Sequence, residues 1–191
     1  MDSDPRVAAV CGSRSADSAT RVALRHALEA AADAGATTDL IDLGAVDLPL
    51  YHPDRDDADS GDAVAVLERT AAADAVLVGS PVYHGSYASA FKSYHDYCGS
   101  DEFEDTVVGL VAVAGGSNYG RTLEHMRSTL AHVGADVLSE EVGVPSGSSA
   151  VADGRVVDED VADRLDSLAR SAVARVAAHR GPGAATPPAE D

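Results

Sequence analysis

The chain has 191 residues, 45% of them hydrophobic but only 4% aromatic and none tryptophan, so one domain is expected with a core of alanine, valine and leucine. Against 14 basic residues stand 32 acidic ones, a formal charge of -18 that excludes nucleic acid as a partner, because no basic patch can neutralise its phosphates. No apolar run approaches the ~18 residues that cross a bilayer, so no membrane association is expected.

The first predicted element is an apolar strand, Val7 to Cys11, which stops at Gly12. A hydroxyl-rich loop follows, Ser13-Arg14-Ser15-Ala16-Asp17-Ser18-Ala19-Thr20, and a helical pattern then runs from Thr20 to Ala34. A loop of this kind aims backbone N–H groups and short hydroxyls at one point, and the helix adds its positive end. The combination suits a phosphate. Further apolar runs at Asp39 to Leu43, Ala75 to Gly79, Val107 to Val113 and Val137 to Val144 alternate with amphipathic stretches. These are Ala63 to Ala73, Tyr87 to Tyr97, Arg121 to Val133 and Val161 to His179. Continuous β-branched runs between helices indicate an α/β fold, a single doubly wound, five-stranded parallel sheet buried on both faces. Gly35 and Gly134 stand where helix C-terminal caps are needed.

Residues 1–180 form the predicted domain, and Gly181 to Asp191, without periodicity, reads as a disordered acidic and proline-rich tail. The polar stretch Pro49 to Gly61 reads as a long surface loop that can act as a lid. The start of the chain lacks the basic and apolar regions of a secretory signal, so a cytoplasmic location is expected. Aspartates outnumber glutamates, and Lys92 is the one lysine; this composition resembles that of proteins from salt-accumulating halophiles. At ~1 M salt the Debye length is about 3 Å, and the self-repulsion of such a surface is screened.

Several weaker patterns are set aside. Cys11 and Cys98 form no CxxC pair, and Cys11 at a strand end reads as a buried small hydrophobe. Gly115-x-x-x-x-Gly120-Arg121-Thr122 misses the nucleotide P-loop by its lysine and follows the wrong strand. Asp57 to Asp62 with Glu68 lacks the glycine of a calcium loop. His125 and His132 share a helix face, but neither they nor His26 and His179 have a carboxylate or thiolate at ligand spacing, so no metal is expected. No Gly-x-Ser-x-Gly elbow occurs, and Ser146 to Ser149 reads as turn chemistry.

With strand order 2-1-3-4-5, the loops after strands 1 and 3 open a crevice, and the loop after strand 4 borders it. The second of these carries Pro81-Val82-Tyr83-His84-Gly85-Ser86, an aromatic on a stiffened backbone that suits a flat ring. The third carries Gly115 and Gly116, which let the backbone approach a planar edge. A flat heteroaromatic with a phosphate tail describes flavin mononucleotide, FMN. Together the motifs resemble the NADPH-dependent FMN reductase family. Its Gly-Ser-x-Arg-x-x-Ser loop is matched by Gly12 to Ser18 with Thr20 beyond. Its Pro-x-Tyr-Asn-x-Ser motif is matched by Pro81, Tyr83, His84 and Ser86, with Phe91, Lys92 and Asp96 downstream; Leu48 to Tyr51 is also similar. Two positions depart, since the family's arginine falls at Ser15 with Arg14 one place earlier, and its asparagine is His84.

The resemblance implies a flavodoxin-like fold and an FMN-dependent NAD(P)H oxidoreductase acting on small-molecule substrates, with NADPH or NADH as co-substrate. It implies phosphate anchoring by Ser13, Arg14, Ser15, Ser18, Ala19 and Thr20. Pro81, Val82, Tyr83, His84, Gly85 and Ser86 would support the ring, and Gly115 and Gly116 would bond the pyrimidine edge. Arg14, Arg21 and the helix start would supply positive potential. No catalytic side chain is implied, because the cofactor carries the chemistry. Quinone, free flavin, azo dye and metal ion are all open as acceptors. The alternative is a flavodoxin-like electron carrier between protein partners. Family members commonly pair, so a homodimer or homotetramer is implied; the aromatic helix Tyr87 to Tyr97 serves either as that interface or as packing on the sheet.

Overall fold

The valine and alanine runs become central strands because β-branched and small side chains fit a sheet covered on both faces. The computed structural model describes residues 4–54, 60–145 and 150–181. In chain order its elements are β1 (Arg6–Cys11), α1 (Ala19–Asp33), β2 (Thr37–Asp42), α2 (Ala63–Ala71), β3 (Ala75–Tyr83), β4 (Ser86–Tyr87), α3 (Ser89–Tyr97) and α4 (Ser100–Phe103). There follow β5 (Val107–Ala114), α5 (Gly120–His132), β6 (Asp136–Pro145), β7 (Val151–Ala152), β8 (Arg155–Val156) and α6 (Glu159–Arg180). The main sheet runs β2-β1-β3-β5-β6, all parallel, which is the expected doubly wound order.

Successive residues of β1 point to opposite faces, so Val7, Ala9 and Cys11 pack with α1 and α6 while Ala8 and Val10 pack with the helices of the other face. From β1 the chain crosses to β2 over the α1 face, whereas from β3 it crosses to β5 over the opposite face. The reversal between neighbours β1 and β3 opens a crevice at their C-terminal ends.

Four short elements lie outside the expected set: the two-residue strand β4 on β3, the one-turn helix α4, and the β7–β8 hairpin. Strand β3 also runs past Gly79, so Ser80 to Tyr83 is strand and not loop; β5 supplies the partner, pairing Ser80 with Ala112 and Pro81 with Val113. The third predicted helix accordingly starts at Ser89, after the hairpin, and not at Tyr87. Its aromatics Phe91 and Tyr94 are fully buried, so this helix packs on the sheet. Gly35 and Gly134 carry φ of +91° and +92°, the left-handed backbone that helix termination requires. Of the predicted lid, residues 55–59 lie outside the described residues, as do Ser146 to Ser149, most of the predicted tail (182–191) and residues 57–59 of the calcium-like segment.

Both edge strands have carbonyls occupied by arginines. Arg69 donates to the Leu40 carbonyl of β2 at 2.9 Å while pairing with Asp39 at 2.7 Å. On β6, Arg127 donates to Val137 and Leu138 carbonyls at 3.3 and 2.7 Å, beside a bulge that shifts the register between Val108 and Leu110 of β5. The guanidinium against Asp39 holds that carboxyl below its ordinary range.

One polar chain crosses the core. Thr70 donates to the Val66 carbonyl at 3.0 Å, so the Tyr94 hydroxyl, 2.9 Å away, donates to Thr70 Oγ1. Burial drives the Tyr94 phenol well above its ordinary range. Thr70→Val strands the buried tyrosine hydroxyl and is expected to cost about 1–3 kcal/mol, whereas Tyr94→Phe removes one net bond and costs about 1 kcal/mol. Urea denaturation of both variants reads the difference, and a larger loss for Tyr94→Phe would contradict this donor assignment.

Candidate functional site

The loop after β1 is shaped from beneath. Gly12 N–H donates to the Gly79 carbonyl at 2.7 Å, and a Cβ on Gly12 would lie 3.0 Å from both that oxygen and Phe91 Cβ. Ser18 caps α1, its hydroxyl accepting from Arg21 N–H at 3.1 Å, and Ser13 accepts from Ser15 N–H at 3.3 Å. Ser13, Ser18 and Thr20 are buried within the loop. The N–H groups of Arg14, Ser18, Ala19 and Thr20 have no protein acceptor among the described residues, and the last three stand at the positive end of a 15-residue helix.

Arg21 does not face the crevice as expected. Its guanidinium pairs with Asp42 at 3.0 Å and donates to the carbonyls of Ser15 and Ala16, so it clamps the loop. Arg14 is exposed and lies outside the cleft lining.

The second segment is a tight hairpin. Tyr83 pairs with Ser86 across a two-residue turn in which His84 and Gly85 have φ of +52° and +77°, the pattern of a type I′ turn. Asparagine and histidine both tolerate that left-handed position, which accounts for a histidine where the family motif has asparagine. Ser80 fixes the hairpin from inside, its hydroxyl accepting from Ala88 N–H at 2.9 Å. Tyr83 leaves 57% of its surface exposed.

In the third segment neither packing nor backbone conformation requires glycine. A Cβ on Gly115 or Gly116 would meet nothing within 4 Å, and neither residue has a positive φ. Both residues are exposed, and of the two only Gly115 lies along the cleft that the three segments share.

A cleft of about 300 Å³ joins the three segments, lined by Ser13, Ser15, Ser18, Ala19 and Thr20 from the first, Pro81, Val82 and Tyr83 from the second, and Gly115 from the third. That volume is at the lower end of small-ligand sites. Arg14, His84, Gly85, Ser86 and Gly116 border these segments without lining the cleft. Asp17 and Val113 line it and carry no sequence signal that marks them. Cys11, beneath the loop, is buried with its thiol pushed up by burial, and so is inert.

Other hollows do not unite the marked loops. One of about 520 Å³ lies between α1 and the β8 hairpin, lined by Arg25, His26 and Arg155 among others, and a smaller one opens beside Arg6 and Asp39. Among the described residues no three histidine, cysteine, aspartate or glutamate side chains gather as a metal site, and no helix is long and apolar enough to cross a membrane.

A family model described as NADPH-dependent FMN reductase matches residues 5–149. An NADPH azoreductase of Bacillus sp. (strain OY1-2) is 35% identical over 105 residues, 54% of this chain, so the match spans only 59% of that protein. A probable NADPH:quinone oxidoreductase 1 of Oryza sativa subsp. japonica is 28% identical over 174 residues, covering 85% of this chain and 87% of its own. Among solved structures FerB, a flavoenzyme NAD(P)H:(acceptor) oxidoreductase from Paracoccus denitrificans, superposes with a TM-score of 0.77 at 24% identity, over 92% of this chain and 98% of its own. That last likeness concerns the fold, and an archaeal flavodoxin with a TM-score of 0.64 places the same fold among flavodoxin-like proteins. With its motifs at the C-terminal edge of a flavodoxin-like sheet and the family model covering most of its length, the chain belongs to the NADPH-dependent FMN reductase family.

Proposed function

We propose that the chain binds FMN in the cleft between the loops after β1, β3 and β5, and works as an NAD(P)H oxidoreductase on small acceptors. The observation that carries this reading is the cleft of about 300 Å³ that joins the three loops, with Gly115 in its lining. The N–H groups at the start of α1, without a protein acceptor among the described residues, are donors of the kind a phosphate monoester takes. FMN, when bound, supplies the hydride chemistry. Ser13, Ser15, Ser18 and Thr20 hold its phosphate in this reading, and Arg21 with Asp42 keeps their loop in shape. The exposed Tyr83 ring and the rigid His84-Gly85 turn flank the flavin ring, and Gly115 and Gly116 present backbone to its edge.

The rest of the reading is a cytoplasmic, salt-adapted enzyme that self-associates as a homodimer or homotetramer. The charge of -18 supports the salt adaptation, and Leu50 and Tyr51, 75% and 48% exposed, offer apolar surface for association.

Two measurements test the site. Gly115→Val places a branched side chain at an exposed position along the cleft, so stability should change by less than about 0.5 kcal/mol, while FMN affinity falls about tenfold or more. Unchanged affinity by flavin fluorescence titration would count against the site. Purified protein mixed with FMN in high salt should turn yellow and be bleached anaerobically by NADPH or NADH. A yellow protein that neither nucleotide bleaches would instead be an electron carrier.

A further inference from the structure

Beyond the cleft, one polar pair ties two of its walls together. The Ser86 hydroxyl and His125 Nδ1 lie 3.1 Å apart, joining the β3–β4 hairpin to the second turn of α5. Tyr87 holds the imidazole edge-on, with ring centroids 6.5 Å apart, and itself packs on Phe91 at 5.0 Å. Ser86 sits opposite Tyr83 in the hairpin, and Tyr83 lines the cleft; α5 begins just after the loop whose Gly115 lines it. Neither residue is needed for packing, since His125 is exposed and Ser86 half-buried. A histidine hydrogen-bonded to a hydroxyl at the rim of a redox cleft is placed to move protons.

We propose that His125 is a proton reservoir acting through the Ser86 hydroxyl, and that it serves acceptors which take up a proton along with the hydride, such as a quinone. The inference rests on the proposed flavin reading. FMN, when bound and reduced, would supply the hydride, two electrons and one hydrogen, that takes a quinone to the hydroquinone anion while the flavin is oxidised. One proton is then still required. The Ser86 O–H bond breaks as a new O–H bond forms on the acceptor. Ser86 oxygen in turn takes the Nδ1 proton of His125, and the exposed ring takes a proton from water at Nε2, so that the imidazole ends neutral. A one-electron acceptor such as ferricyanide needs no such proton.

The ionisable groups on elements packed against His125 are few. The hairpin carries Tyr87 and His84, and α5 itself carries Arg121 and Glu124. From β6 comes Glu141, which is paired with Arg127 of α5 at 3.0 Å. On α3 stands His95, whose burial lowers its pKa. With Glu141 already paired, the hydroxyl of Ser86 is the polar group the imidazole bonds.

The test uses holoprotein carrying FMN and reduced by light, so it does not depend on NADPH or NADH. His125→Gln retains a hydrogen-bonding side chain but cannot take up a proton on one nitrogen while giving one from another. Its reoxidation by a benzoquinone at neutral pH should slow by at least about tenfold, below the usual 10²–10⁴ of general acid catalysis because water competes at an exposed site. Ferricyanide reoxidation is the internal reference. Equal slowing with both oxidants, or none with quinone, overturns the proposal. Independently, nitrogen NMR of the flavin-free protein should show the His125 ring resonances shift in Ser86→Ala; no shift means the bond is absent in solution and the proposal fails. Failure of the protein to bind FMN would instead defeat the flavin reading itself.

Discussion

The contact on which the site depends is backbone to backbone. Gly12 N–H meets the Gly79 carbonyl at 2.7 Å where β1 and β3, neighbours in the sheet, send their chains to opposite faces. Both residues are glycines for want of space: a Cβ on Gly79 would come within 2.8 Å of Leu24 on α1, and one on Gly12 would touch Phe91 on α3. Helices from the two faces are thus drawn close to the same point. The phosphate-type loop and the aromatic hairpin are held at fixed separation by the sheet, not by each other.

Much of this was legible in the sequence because buried parallel strands need unbroken apolar runs, and such runs are rare by accident in so acidic a chain. The order of the five main strands and the convergence of three loops both follow from that pattern. What the pattern hid has physical reasons. Ser80 and Pro81 look like turn residues, yet they continue β3 because β5 offers a register that accommodates them. The β7–β8 hairpin pairs only two residues on each side, too few for any periodicity to register.

Site residues divide in the same way. Hydroxyls and glycines near strand ends announce themselves through local sequence, whereas the clamp of Arg21 on Asp42 joins residues 21 positions apart. Local sequence gives an arginine beside a phosphate-type loop and suggests a charge for the ligand. The fold turns that charge inward to the loop's own carbonyls. Ser86 and His125, 39 positions apart, could likewise be joined only by the packing of α5 on the hairpin.

The arginines on the sheet edges bear on a different property. An open sheet ends in strands whose unpaired backbone groups can template another chain, the usual route to edge-to-edge aggregation. Here Arg69 occupies a carbonyl on β2, while Arg127 and the neighbouring bulge interrupt β6. Each guanidinium also brings a fixed charge to the strand it covers. On β6 Arg164 adds to this by donating to the Glu141 and Gly143 carbonyls, so cations scarce in the sequence gather on the borders of the sheet, where a fixed charge works against edge pairing even when salt has screened the repulsion between molecules.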